Sequence, residues 1–330
     1  MSSSHVPGQA ACASILCYQI FGRRLESDCP LPELLPDADV PSPAITVRAL
    51  AQPAGPVAPI AWFREWYARD GRLNLRAGRS REGLILRFSE NAEFLVAPSC
   101  TEIHYHRLRP SADTAFRHAL LDQVVPRTLA QGGRLVLHAS SVTTQSGAVC
   151  LIGHPGQGKS TLAAAFHREG ARLLADDASL IDAGDTGVYC APGYPGVRLW
   201  PDAAERLSPA PPSRKPVGYR ADKLRCCLDQ CSEVPPLPGQ TPVRAILSLQ
   251  RRSPDAGTQR TVLERLAGTA ATIELMQHAF KFDIGDRAHL SRLLGQSARV
   301  ATAVPVYRVT YPSDLALLPR VCAQIVHALG

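Results

Sequence analysis

The chain predicts an α/β protein in two parts: a smaller β-rich N-terminal domain, residues 1–110, followed by a phosphate-loop domain, residues 111–330. Three observations predict it. The front of the chain carries short alternating apolar runs separated by Pro, Gly, Ser or Asp, the pattern of half-buried strands. ADTAFRHALLDQVVPRTLAQGG then shows helical spacing and stops at a Gly pair, so it reads as a helix joining the halves. Beyond it the wholly apolar AVCLI runs directly into GHPGQGKST, Gly153 to Thr161.

In chain order, the expected strands of the first part lie in ILCYQIFGRRLES, AITVRAL, LILRF, EFLVA and EIHYHRL. In the last of these, His104 and His106 alternate with Ile103 and Tyr105, so both imidazoles should face away from the apolar side. RLVLHASSV is a strand, TTQSG a turn, and AVCLI a strand of the kind buried on both faces of a mainly parallel sheet. KSTLAAAFHREG follows as a helix ended by Gly170, and ARLLADD returns as a strand with two acids at its carboxyl end. Further strands are expected at VYCAP, AILSLQR and VPVYRVTY. Helices are expected near PDAAERL, TAATIELMQHAF, DRAHLSRLLGQ and SDLALLPRVCAQIVHAL.

Composition narrows the function classes. With 45% hydrophobic residues in 330, the chain can build at least one sizeable core, and its 28 prolines cluster in loops such as LSPAPPSRKP. A net charge of +7 suits phosphate or acidic partners, but the Lys and Arg residues are scattered without the continuous stripe of a nucleic-acid binder. The ten cysteines include no C-x-x-C pair, which favours reduced thiols. Cys226, Cys227 and Cys231, with no nearby histidine, make a poor zinc site. The N-terminus lacks a basic n-region and no segment approaches a membrane span, so the expectation is a cytoplasmic protein without a membrane partner.

Gly153, His154, Pro155, Gly156, Gln157, Gly158, Lys159, Ser160 and Thr161 fit G-x-x-x-x-G-K-[ST] and continue it by one residue. Glycines let backbone N–H groups turn onto phosphate oxygens, and the helix N-terminus adds partial positive charge. Lys159 would reach the β- and γ-phosphates of ATP, and the Ser160 hydroxyl would take one position on Mg²⁺. Asp176 and Asp177 follow one helix later. Because a strand alternates its side chains, both can serve the phosphates only if the chain leaves the sheet between them. That division suggests that one acid holds the metal or its waters while the other accepts a proton from an incoming hydroxyl.

HASSV, GHPGQGKST and RLLADD, in that order, closely resemble the catalytic domain of the HPr kinase/phosphorylase family, enzymes that phosphorylate a serine of a bacterial phosphocarrier. The resemblance covers Arg134 to Leu180 well and the remainder loosely. It implies that His138 lies near the transferring phosphoryl group, that Asp177 is the general base, and that Asp176 is the assisting acid and, with Ser160, the metal site. The chain departs from the family in two places: His154-Pro155 stand where Asp-Ser is common, and the glutamate-bearing E-I-R-G-L-G segment has no counterpart. APGYPGVRLWPD offers Arg198 as a candidate phosphate contact and Asp202 as a candidate metal ligand instead, so the resemblance does not carry over reverse phosphorolysis. Arg220 and Lys223, in SRKPVGYRADKLR, are candidates to close over the phosphates. The whole looks more like the HPr-kinase-related proteins that act on ribosomally made peptides, including kinases of the C-terminal serine of lasso-peptide precursors. The expected activity is ATP-dependent transfer to a serine of a protein or peptide, with ATP and Mg²⁺; residues 1–110 are expected to form an accessory or peptide-recognition domain, with a stability or oligomerisation element as the alternative, and a homo-oligomer is left open. The alternatives are a small-molecule kinase and a non-catalytic nucleotide-binding regulator or scaffold.

Overall fold

The structure, a computed structural model, describes residues 14–36, 44–50, 60–68, 70–89, 91–109, 113–194, 196–208, 223–226, 228, 239–252 and 260–330. Arg220, Cys227 and Cys231 therefore lie outside the described residues. The front half forms one sheet from β1 (Leu16–Ile20), β2 (Arg23–Ser27), β3 (Leu35–Pro36), β4 (Ile45–Ala49), β5 (Ala61–Tyr67), β6 (Leu73–Arg79), β7 (Leu84–Phe88), β8 (Ala92–Val96) and β9 (Glu102–Arg107). Their order is β3-β1-β2-β4-β9-β8-β7-β6-β5, with β2–β4 and β4–β9 parallel and the other pairs antiparallel. ILCYQIFGRRLES is not one strand but the β1–β2 hairpin, turned at Phe21 and Gly22, both with positive φ. His104 and His106 are half-buried beside the buried Ile103 and Tyr105, as alternation requires. Strands β5 and β6 had no reading in the sequence, because Arg and Glu in β5 and Asn, Arg and Gly in β6 interrupt their apolar pattern.

The joining helix is broken. Helix α1 (Asp113–Ala119) opens into a π-helical turn over Leu120–Val124 before α2 (Val125–Gln131), which ends at Gly132. Pro126 explains the widening: it has no N–H to donate, and its ring crowds the carbonyl four residues earlier, that of Asp122. The apolar face of this helix covers the first sheet, with Phe116 stacked on Phe94 at 5.5 Å and tilted against Tyr105 at 4.8 Å. Ala178, Leu180, Ala191, Tyr194, Phe280 and Phe282 join the same core. The two halves thus share buried apolar surface.

The second sheet contains β10 (Leu135–Leu137), β11 (Ala139–Thr144), β12 (Gly147–Ile152), β13 (Arg172–Ala175), β14 (Ser179–Gly184) and β15 (Gly187–Ala191). After the short pair β16 (Val197–Leu199) and β17 (Leu224–Cys226), it is completed by β18 (Thr241–Arg252), β19 (Val262–Leu266) and β20 (Val306–Pro312). Its order is β10-β14-β15-β18-β12-β11-β13, with β20 beside β18 and β19 beside β20. The sheet is mixed rather than mainly parallel: only β12–β18 and β18–β20 are parallel, and β13 pairs antiparallel with β11 instead of lying next to β12. The parallel centre is the part buried on both faces. Val149 and Leu151 of β12 face α3 (Lys159–Arg168), α4 (Pro201–Leu207) and α7 (Leu318–Leu329). Ala148, Cys150 and Ile152 face α5 (Gly268–His278) and α6 (Arg287–Ala303). That double burial is why AVCLI is apolar throughout. Among the described residues no helix is long and apolar enough to cross a membrane.

Phe94, fully buried, contacts both Phe88 and Phe116 and ties the sheet to the joining helix. Phe94→Ala should therefore cost about 3–5 kcal/mol of stability through lost burial and a residual cavity. Denaturant unfolding checks this; a loss below about 1 kcal/mol would mean that the sheet and helix do not pack as one unit.

Candidate active site

Strand β12 ends at Ile152 and α3 begins at Lys159, so Gly153–Gly158 form the connection. Gly156 and Gly158 have φ of 89° and 84°, and a Cβ on Gly158 would collide with the Tyr311 hydroxyl. That hydroxyl donates to the Gln157 carbonyl at 2.6 Å, while the Gln157 side chain accepts from the Arg251 N–H at 2.6 Å. Gln157 is thus spent on holding the loop. Gly153, His154, Pro155, Gly156, Gly158, Lys159, Ser160 and Thr161 line a cavity of about 540 Å³. Lys159 is buried and donates from Nζ to the Gly153 carbonyl at 2.7 Å, which draws its ammonium across the loop.

Strand β13 ends at Ala175, before both acids, and the two side chains separate in the bend that follows. Asp176 is buried: its Oδ1 accepts from Ser160 Oγ at 2.9 Å and Ser140 Oγ at 2.5 Å, and its Oδ2 accepts from the Arg198 N–H at 3.1 Å. Asp177 adopts φ 62°, a left-handed conformation that Asp tolerates better than most residues, and turns into the cavity. There its Oδ2 pairs with the Arg198 guanidinium. Burial and the neighbouring Asp177 charge push the Asp176 carboxyl up. Burial also opposes charge on Asp177, but Arg198, His138 and Lys223 outweigh it and hold that carboxyl well below the usual range.

His138 sits where RLVLHASSV divides into β10 and β11, strands that pair with different neighbours. Its N–H donates to the His278 carbonyl at 2.7 Å, and its Nδ1 lies 2.9 Å from the Asp177 carbonyl. Its ring meets Phe280 edge-on at 5.9 Å. Burial, then the Lys159 charge, push the imidazole down to about 4, so it is neutral at neutral pH.

Arg198 and Lys223 also line the cavity, whereas Asp202 lies exposed in the first turn of α4 and is not among the lining residues. Sequence reasoning missed the group behind Arg198. Asp122, from the π turn, is buried with the Tyr194 hydroxyl and His118 against it and lies 3.6 Å from Arg198 Nη1. Burial disfavours charge on Asp122, but Arg198 and His118 hold it ionised. The signal was present: an acid inside the apolar run ALLDQVV cannot be buried without partners. Arg64, Trp66, Arg127, Phe280 and Lys281 are also among the residues that line the cavity.

Ser160 and Asp176 suit a magnesium ion by chemistry. They offer hard oxygen donors, and a buried carboxyl pushed up by its acidic neighbour would be relieved by a divalent cation. Among the described residues, seven Lys or Arg side chains line the cavity against a single carboxylate, Asp177, a balance that fits a polyanion.

No family model and no curated protein matches the chain. Among solved structures it is similar to the HPr(Ser) kinase/phosphatase from Coxiella burnetii, at 12% identity and a TM-score of 0.30, over 58% of this chain and 94% of that one. So loose a superposition leaves the functional reading to the geometry of the site itself.

The depressed His138 has a measurable consequence. Between about 4 and 6.5 the unfolded chain binds this proton and the folded one does not, so His138 makes stability rise with pH across that window and fall as acid is added. His278 and His289, also pushed down by burial, contribute in the same direction. His138→Gln should flatten part of the acid limb of a stability–pH curve. An NMR titration of the wild-type imidazole should find a midpoint near the same value of about 4; an ordinary midpoint would contradict the assignment.

Proposed function

We propose that the chain is an ATP-dependent kinase that moves the γ-phosphoryl group to a serine hydroxyl of a protein or peptide. The observation that carries the reading is the convergence, on one cavity, of the glycine loop, Lys159, Ser160, Asp177 and His138. Lys159 and the loop amides would bind the β- and γ-phosphates, as a strand–glycine loop–helix connection suits. Ser160 would hold the magnesium ion directly, with Asp176 behind it accepting the Ser160 hydroxyl proton. A magnesium ion held there would supply positive charge for the phosphates.

Asp177 would accept a hydrogen bond from the serine hydroxyl and align it. A carboxyl held so far down is a weak base, but phosphoryl transfer passes through a loose transition state that demands little early proton removal. Arg198, already at the Asp177 carboxylate, is within the same cavity to meet charge on the moving group. His138, neutral and anchored on the Asp177 carbonyl, would keep that residue in its left-handed turn. A second reading, a nucleotide-binding regulator without transfer, is favoured by the same Arg198 clamp, since it occupies one oxygen of the proposed base.

Variants separate these readings. Lys159→Ala should weaken ATP·Mg²⁺ binding by more than about tenfold, roughly 1.4 kcal/mol, in a calorimetric titration. Equal affinities would remove the phosphate assignment.

Asp177→Asn keeps the side-chain shape and tolerates the left-handed conformation but loses the negative charge that orients the serine hydroxyl and takes up its proton as transfer completes, so it should slow single-turnover transfer by about 10²–10⁴ while ATP still binds. Asp176→Asn should instead raise the Mg²⁺ concentration required. Transfer untouched by Asp177→Asn but abolished by Asp176→Asn would reverse the two roles, and a wild-type protein that binds ATP without transferring to any hydroxyl would favour the regulator.

A further inference from the structure

One wall of the cavity, drawn from β5, α2 and the residues after α5, gathers cationic and aromatic side chains outside the glycine loop and the acid pair. Strand β5 presents Arg64 and Trp66 there, two residues apart and therefore on one face, while Glu65 points elsewhere and accepts from Tyr67. Arg64 lies over the Trp66 ring at 4.6 Å, and Arg127 of α2 lies 5.8 Å from the same ring and 5.2 Å from Phe280. Lys281 stands beside them and donates to the carbonyls of Met276 and Gln277 at the end of α5. Burial, then the Arg64 charge, push its ammonium down. Because Phe280 also meets the His138 ring, this wall is continuous with the centre where Asp177 and His138 face the cavity.

Arg64, Arg127 and Lys281 gather three positive charges on one wall, and among the described residues Asp177 is the one carboxylate that lines the cavity, so the wall favours an anion. Rings that take the flat faces of guanidiniums also fix their planes, which leaves in-plane N–H groups such as those of Arg64 pointed along the wall, the fork that matches a carboxylate. Nucleotide phosphates held at the glycine loop would be served by Lys159, Arg198 and Lys223 instead.

We infer that the wall of Arg64, Arg127 and Lys281 is the acceptor subsite, and that it selects an acidic peptide in which a carboxylate lies next to the serine to be phosphorylated. This rests on the serine-kinase reading. It assigns to the front-half sheet a share in acceptor recognition through β5.

The test uses the full chain, γ-labelled ATP and two short synthetic peptides in which a central serine is flanked by Asp or by Asn. The Asp peptide should be preferred by about tenfold or more in kcat/KM, with the difference in KM. Arg64→Gln combined with Lys281→Gln should erase that preference and leave ATP affinity in place, which also shows that the variant is folded. Arg64→Lys should retain part of the preference, keeping the charge without the planar fork. Equal use of both peptides would overturn the inference and leave the kinase reading intact, as would a preference that survives the double variant. Transfer to neither peptide by a protein that binds ATP would overturn the peptide-kinase reading and the acceptor class with it.

Discussion

The Arg198 guanidinium between Asp177 and Asp122 is the contact on which the site depends. Two carboxylates from distant parts of the chain, one in the turn after β13 and one in the π turn of the joining helix, are brought together only because a cation lies between them. Burial and electrostatic attraction compete here. Burial alone would lower the charge of Arg198, but Asp177 and then Asp122 raise its proton affinity beyond that penalty. Removing either acid would leave the other with the whole of a buried cation, and removing Arg198 would leave two buried carboxylates, a change of the kind that costs about 3–5 kcal/mol. The ion cluster therefore couples the orientation of Asp177 to the packing of the first half.

The rest of the architecture can be understood from that coupling. Pro126 widens the joining helix, the widened turn carries Asp122 inward, and Phe116 one turn earlier locks the same helix onto the first sheet. On the opposite side, the long β18 holds the glycine loop in place: the Arg251 N–H fixes Gln157, and a Cβ on Gly153 would press on the Leu249 carbonyl at 3.0 Å. The cavity is the space left between these two anchored walls. Its cationic lining is a consequence of both, since Arg64 and Arg127 come from the front half and its joining helix, and Lys159, Lys223 and Arg251 from the second.

Much of this was legible in the residues. GHPGQGKST and ADD are short-range patterns whose chemistry depends on neighbours in sequence, and the strand–loop–helix around Lys159 follows from periodicity, whereas the separation of Asp176 and Asp177 comes from a bend and a left-handed residue after β13. AVCLI announced its double burial. The sheet order did not announce itself, because pairing of β13 with β11 rather than β12 is a long-range choice that no local pattern encodes. Nor did β5, where Arg64 and Trp66 line the cavity and Trp66 also packs against the first core. Asp122 lay in plain view as a lone acid in an apolar run, yet its partner Arg198 is distant in sequence, and only the fold joins them.

The central claim is that the glycine loop and its acids form a site for a magnesium-bound nucleoside triphosphate. Hydrogen–deuterium exchange of the full chain with and without ATP and Mg²⁺ tests it most directly, because loop amides that turn onto phosphate oxygens become protected while they do so. The account predicts slowed exchange at the Gly153–Lys159 amides and at Arg198, with the distal strands of the first sheet unchanged. Exchange at the loop that is indifferent to nucleotide at saturating concentration would contradict it.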